Sequence, residues 1–155
     1  MRRRDLPHPA RRRVLRASLG LGALVASRTA RGAPAPELAA ALREFSGGAP
    51  IAVGRVRLEI ALLIENGNAA PVTINVESPM TAADHVRRIG LFNERNPQRD
   101  VAVFTRGPRA GRASVSTRIR LATSQQLVAV AQMSDGSYWQ HATDVIVTIA
   151  ACIET

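Results

Sequence analysis

Apolar and polar residues alternate along most of the chain after residue 48, and this period-two pattern predicts β-strands. The clearest run covers residues 56–65, where valine, leucine and isoleucine occupy the even positions. Residues 72–76 repeat the alternation, and Asn66-Gly67 between the two runs predicts a hairpin turn. Because successive side chains of a strand point to opposite faces, the pattern predicts sheets with one buried face.

Turn residues divide the rest of the chain into further short strands. Residues 127–131 are apolar on both faces, which is typical of a central strand. A single helix is predicted at 36–45, with Gly47-Gly48 ending it. The pattern therefore predicts an all-β fold, an immunoglobulin-like antiparallel β-sandwich with one short N-terminal helix. The other predicted strands are 86–92, 101–105, 114–121 and 145–149.

The first 32 residues have the layout of an export signal. They begin with arginines, including Arg11-Arg12-Arg13, and continue with an apolar run at 19–26 and then small residues. The arginine run resembles a twin-arginine signal, which predicts a periplasmic mature protein; a retained basic helix is the alternative. The predicted organisation is a signal at 1–32, a β-sandwich domain at 33–149 and a C-terminal arm at 150–155.

The net charge of +9 does not indicate nucleic-acid binding. Residues 1–32 hold nine arginines and one acid, whereas residues 33–155 hold twelve arginines and eleven acids. The predicted mature domain is thus almost neutral, and it lacks the basic surface that binds phosphates. The apolar run at 19–26 is shorter than the ~20 residues that span a bilayer, so no membrane association is expected after signal removal.

No pattern in the sequence predicts a self-sufficient active site. The histidines are His8, His85 and His141, and their spacing matches no zinc motif. His85 and His141 are interpreted as surface residues at strand ends, and no metal or cofactor is predicted. No serine lies in a Gly-x-Ser-x-Gly turn. We therefore expect a protein that acts with partner enzymes and is not itself an enzyme.

Cys152 is the only cysteine of the chain, so it has no intramolecular disulfide partner. If residues 145–151 continue as a strand, Val145, Val147, Ile149 and Ala151 share one face, and the thiol lies on the other. No histidine or arginine lies within three residues to favour the thiolate, and Glu154 opposes it by like-charge repulsion. Such a thiol is a poor catalyst, but a partner enzyme could load it. A buried structural cysteine is the alternative.

Five stretches of the domain carry a family resemblance. They are Glu65-Asn66-Gly67-Asn68 with Pro71-Val72, Ser78-Pro79-Met80-Thr81-Ala82-Ala83-Asp84-His85-Val86, Leu91-Phe92-Asn93 with Asn96-Pro97, Arg118-Ile119-Arg120-Leu121-Ala122-Thr123-Ser124-Gln125, and Val130-Ala131-Gln132-Met133-Ser134-Asp135-Gly136. Over about residues 36–149 the chain resembles SoxY, the sulfur-carrier subunit of the periplasmic Sox sulfur-oxidation system. The resemblance implies a covalent sulfur adduct on Cys152 and a heterodimer with a SoxZ-like subunit. It also implies that periplasmic sulfur-metabolism or related redox enzymes are partners.

The C-terminal arm departs from that family. SoxY ends in Gly-Gly-Cys-Gly-Gly, whereas this chain has Ala150, Ala151, Ile153 and Glu154 around Cys152, which resembles a SoxY-related branch with such an AACIE arm. Alanine and isoleucine restrict the backbone, so a stiffer arm should fit a differently shaped partner enzyme. Two hypotheses follow: a covalent carrier, and a non-covalent module that pairs with a SoxZ-like subunit and has a structural cysteine.

Overall fold

The computed structural model describes residues 34–151, which form one α-helix and nine β-strands. The predicted export signal lies outside the described residues, as do Cys152, Ile153 and Glu154. Helix α1 spans Pro36–Ser46. The strands are β1 (Ile51–Val53), β2 (Val56–Glu59), β3 (Leu63–Asn66), β4 (Ala70–Val76), β5 (Val86–Asn93), β6 (Asp100–Thr105), β7 (Ser114–Ile119), β8 (Gln125–Met133) and β9 (Tyr138–Ile149).

The strands form two sheets, which confirms the predicted β-sandwich. The larger sheet has the order β1-β9-β8-β5-β6, and β3 also pairs with β9. The smaller sheet has the order β2-β4-β7. Most pairs are antiparallel, as predicted, but β1 and β3 both run parallel to β9. The long strand β9 therefore has β1 beside its first residues and β3 beside its last.

Aliphatic side chains from both sheets fill the space between them, and Ile74, Ile89, Leu91, Leu121 and Leu127 are among those fully buried. Strand β8 is buried on both faces, which confirms its prediction as a central strand. Helix α1 covers the other face of the larger sheet. Its buried residues pack on that sheet in a second cluster, formed by Leu38, Leu42, Phe45, Phe92, Val128, Val130 and Tyr138.

Helix α1 begins and ends close to the predicted residues. Gly47 adopts a left-handed conformation with φ of 62°, which glycine tolerates best. The amides of Gly47 and Gly48 donate to the carbonyls of Glu44 and Arg43, which closes the last turn. Within residues 34–151, no helix is long and apolar enough to cross a membrane.

The prediction of one strand over residues 56–65, followed by a hairpin, is wrong. This run divides into β2, which belongs to the smaller sheet, and β3, which pairs with β9 in the larger one. The antiparallel partner of β4 is β2, with Val56 opposite Val76. At the predicted hairpin the side chain of Asn66 accepts a hydrogen bond from the amide of Asn68, at 2.9 Å, and a 3-10 turn follows.

Candidate functional site at the root of the C-terminal arm

Strand β9 leads directly into the predicted arm, and β3 holds its last residues. Leu63 lies opposite Ile146, and Asn66 lies opposite Ile149. Outside this pairing, the amide of Val147 donates to the hydroxyl of Ser124 at 2.9 Å. The chain therefore approaches the arm between β3 and the loop that precedes β8.

Ala150 and Ala151, which we call the arm root, are the last described residues before Cys152. Ala150 is exposed, but Ala151 is only 7% exposed. The amide of Ala151 donates to the carbonyl of Leu121 at 3.1 Å, and the amide of Leu121 donates to the carbonyl of Gly67 at 2.8 Å. Ala151, the second residue of the predicted arm, is thus buried against the domain and hydrogen-bonded to it.

The predicted facing of the last residues holds at most positions. Val145 and Ala151 are buried and Val147 is half-buried, whereas Ile146, Thr148 and Ala150 on the other face are exposed. Ile149 is the exception, since it shares the inner face and is nevertheless 64% exposed. Continued alternation would turn Cys152 outward, which stays a prediction.

Hydrogen bonds of side-chain amides hold the loops beneath the arm root in place. Asn96 accepts hydrogen bonds from the amide of Ala122 at 3.0 Å and from the side chain of Gln125 at 2.8 Å. It also donates to the carbonyl of Arg120 at 2.8 Å. Asn93, which is 1% exposed, accepts from the amide of Asn96 at 2.9 Å. These residues therefore fix the loop that carries Leu121.

The amide side chains and Gly67 were not predicted as site residues. They lie in stretches that carried the family resemblance, where Gly67 was interpreted as part of a hairpin turn and the amide side chains were given no role. What the sequence does not reveal is that three distant loops meet under Ala151.

An exposed apolar surface lies beside the arm root. It consists of Leu62, Leu63, Ile146 and Ile149, which are 55–65% exposed, and we call it the arm-side apolar patch. Among the described strands, β3 pairs only with β9, so its other edge is unpaired. Leu63 and Ile146 share one face of the sheet and Ile149 lies on the other, so the patch flanks the β3 edge from both sides. Exposed apolar side chains around a free strand edge are typical of an interaction site.

The histidines of the described region have structural hydrogen bonds. His141 accepts from the amide of Leu58 at 2.9 Å, which joins the edge of β2 to β9. His85 donates to the carbonyl of Thr81 at 3.1 Å. No three His, Cys, Asp or Glu side chains within residues 34–151 are grouped closely enough to hold a metal ion.

The model of the family described as sulfur oxidation protein SoxY matches residues 42–152, which is more than half of the chain and ends on Cys152. No functionally curated protein has a significant sequence match. The solved structure of the sulfur carrier protein SoxY from Chlorobium limicola f thiosulfatophilum is 28% identical, with a TM-score of 0.59. That match covers 70% of this chain and 89% of the other.

Superoxide reductases share the fold at lower identity. The enzyme from Ignicoccus hospitalis is 19% identical with a TM-score of 0.54, and the match covers 61% of this chain and 80% of that one. The enzyme from Nanoarchaeum equitans is 15% identical with a TM-score of 0.52, covering 62% and 100%. At these identities the likeness describes the sandwich and carries nothing about chemistry.

Proposed function

Because this chain belongs to the SoxY family of sulfur-oxidation proteins, we propose that it carries a sulfur-containing group covalently on Cys152 in the periplasm. The family is one of sulfur carriers and not of enzymes, and its members work with other sulfur-oxidation proteins. The observation that carries the proposal is that the family match extends to residue 152, the only cysteine of the chain.

Loading of Cys152 needs only one exchange of sulfur bonds. The Cys152 thiolate attacks the outer sulfur of a persulfide on a donor enzyme, and a new sulfur–sulfur bond forms. The donor's own sulfur–sulfur bond breaks, and the donor leaves as a thiolate with no net change in oxidation state. Since a free thiol is only a few per cent thiolate at neutral pH, the partner enzyme must activate it.

The carrier hypothesis predicts a modified Cys152 in protein purified from the periplasm of its own cells. Intact mass spectrometry should find the chain without its first 32 or so residues and with the mass of at least one sulfur atom added. Cys152→Ser should lose that added mass. An outward-facing thiol can be replaced with a change of less than about 1 kcal/mol in the free energy of unfolding.

The competing hypothesis is a non-covalent interaction module with a structural cysteine, and the exposed apolar side chains beside the free edge of β3 are the observation that favours it. A buried cysteine replaced by serine places a hydroxyl in the core, which costs about 1–3 kcal/mol. An unmodified mass, together with a Cys152→Ser variant destabilised by that amount, would falsify the carrier hypothesis. A full-length mass with an intact N-terminus would contradict export by the twin-arginine pathway.

We also propose that the arm-side apolar patch binds a SoxZ-like subunit. Four large exposed apolar side chains and the free edge of β3 support this partner, because a heterodimer would bury them in an interface of ~1,200–2,000 Å². A partner bound there would leave the arm root at the rim of the complex.

Replacing Ile146 by glutamate should weaken this heterodimer at least about tenfold, because the charge would be desolvated in the interface. Val103 is the matched control, since it is also an exposed apolar residue but lies on β6, at the opposite edge of the sheet. Native mass spectrometry of each variant co-expressed with the SoxZ-like subunit measures the effect. Loss of the complex with Val103→Glu, and not with Ile146→Glu, would overturn this assignment.

A further inference from the structure

We propose that Gly67 is a positioning residue for Cys152, because it completes a chain of hydrogen bonds that holds the arm root on the domain. This chain of hydrogen bonds runs from Gly67 through Leu121 to Ala151, and we call it the relay. The inference rests on the proposed carrier function and concerns how the thiol is presented to a partner enzyme.

The relay requires glycine at position 67 because there is no room for a side chain, and not because of the backbone conformation. It is buried, and it is not among the glycines with a positive φ. A Cβ atom there would lie 2.4 Å from the carbonyl oxygen of Leu121 and 3.0 Å from the amide nitrogen of Ala151. Both are backbone atoms, so no side-chain rotation relieves the clash. Any larger residue at 67 must therefore displace Leu121, Ala151 or both.

The Leu121 part of the relay is rigid. Its side chain is fully buried between the sheets. The backbone on each side is held by Asn96, which accepts from the amide of Ala122 and donates to the carbonyl of Arg120. The carbonyl that receives the amide of Ala151 is therefore held in place by hydrogen bonds on both sides.

One peptide bond separates this fixed point from the thiol-bearing residue. Because consecutive Cα atoms are only ~3.8 Å apart, a fixed Ala151 limits how far the next residue can reach from the domain. A partner enzyme whose catalytic pocket lies deeper must break the Ala151–Leu121 hydrogen bond and expose Ala151. The relay therefore sets how readily Ala151, the residue before Cys152, is released from the domain.

The test measures how fast Cys152 of the reduced full chain reacts with a small and with a bulky maleimide. Gly67→Ala should speed the reaction with the bulky reagent about three- to tenfold, the factor expected from losing one hydrogen bond. Gly107→Ala is the matched control, because no atom lies within 4 Å of a Cβ placed there and its φ of −152° suits any residue. It should react like the unmodified sequence.

A second variant keeps the test decisive if Gly67→Ala fails to fold. Ala151→Pro removes the amide that donates to Leu121, and its ring cannot occupy the place of that hydrogen bond against the Leu121 carbonyl. It should therefore release Ala151 from the domain and give the same acceleration, while a cooperative melting curve checks that the domain still folds. Hydrogen exchange should find the Ala151 amide protected in the unmodified sequence and unprotected in Gly67→Ala. An Ala151 amide that exchanges freely in the unmodified sequence, or equal labelling rates in all variants, would overturn the relay.

These readouts use neither a sulfur adduct nor a partner enzyme. Failure of the carrier function would appear as a Cys152 without added mass in cells, while the relay would still control maleimide labelling. Failure of the relay would leave the adduct in place and the labelling rates unchanged.

Discussion

The loops at the two ends of the β-sandwich are held by different kinds of interaction. At the arm end, neutral amide side chains are buried, with Asn93 1% and Gln125 5% exposed. At the opposite end, where β9 begins, Arg55 and Asp84 form an ion pair at 3.2 Å with side chains 27% and 44% exposed. The arm end thus has buried uncharged amides at its centre, with the Arg99–Glu37 and Arg95–Glu94 ion pairs at its edge, whereas the opposite end depends on a partly solvated ion pair.

At the opposite end, the charged groups bind loops to one another. Arg55 donates to the carbonyl of Glu77 at 3.1 Å, and its guanidinium lies 5.9 Å from the centre of the Trp139 ring. The amide of Asp84 is held by the hydroxyl of Thr81 at 3.0 Å. Each of these contacts is open to water on one side.

This difference indicates that the support of the arm root is less sensitive to salt and pH than the opposite end. Buried amide hydrogen bonds are insensitive to salt and pH, whereas exposed ion pairs weaken with salt and contribute little. The loop that carries Leu121 therefore keeps its position over a wide range of ionic conditions. If the proposed carrier function holds, such a fixed starting point would help partner enzymes to reach the thiol.

The largest expected effect is a loss of stability on substitution at the arm end, which should exceed the loss at the opposite end. Asn93→Ala should destabilise the domain by about 2–3 kcal/mol, because the amide of Asn96 and the carbonyl of Gln98 lose their partner. Asp84→Ala, at the other end, should cost about 0–1 kcal/mol. Urea unfolding of both variants at low and high salt measures the difference.

High salt serves as the control in that comparison. The cost of Asp84→Ala should shrink as salt rises, while the cost of Asn93→Ala should stay constant. Equal costs at both ends, or a salt-dependent Asn93→Ala, would contradict the distinction between the two ends.

Much of the sandwich could be predicted because alternation reports which side of a strand is buried. Leu127–Ala131 and the helix start and end signals were read correctly for this reason. The same property explains the error at residues 56–65. Val56, Leu58 and Ile64 all face the core, so the alternation continues although the chain changes sheets. Alternation carries no information on which strand supplies the hydrogen bonds.

The sequence singles out the candidate cysteine, whose role stays a prediction, but it does not reveal the residues that support it. A lone thiol near a chain end is visible in the sequence, but the relay joins residues 67, 121 and 151 through backbone atoms. Backbone contacts between distant segments leave almost no residue signature. The exception is Gly67, where a close approach excludes a side chain, and that glycine was read as a hairpin signal.

The smallest expected effect is on the free energy of unfolding at acid pH, and it arises at the end of the sandwich opposite the arm. Asp135 accepts hydrogen bonds from the hydroxyl of Ser137 at 2.7 Å and from its amide at 2.8 Å. These bonds, with attraction by Arg55, lower the pKa of Asp135 below its ordinary value of 3.8. The unfolded chain therefore binds this proton more readily than the folded one, so the stabilisation is complete above pH 3.8 and is lost as the pH falls through the folded-state pKa.

Asp135→Asn keeps an oxygen acceptor for Ser137 but cannot titrate, so its free energy of unfolding should fall less steeply below pH 3.8 than that of the unmodified sequence. The group is fully exposed, so the change in slope should be small. Asn93→Ala should instead shift the whole curve downward without changing its slope, because no titrating group is lost. Denaturant unfolding from neutral to acid pH, with an NMR titration of the Asp135 carboxyl, checks both. Parallel curves for Asp135→Asn and the unmodified sequence would place the acid sensitivity elsewhere and remove this charge from the contrast between the two ends.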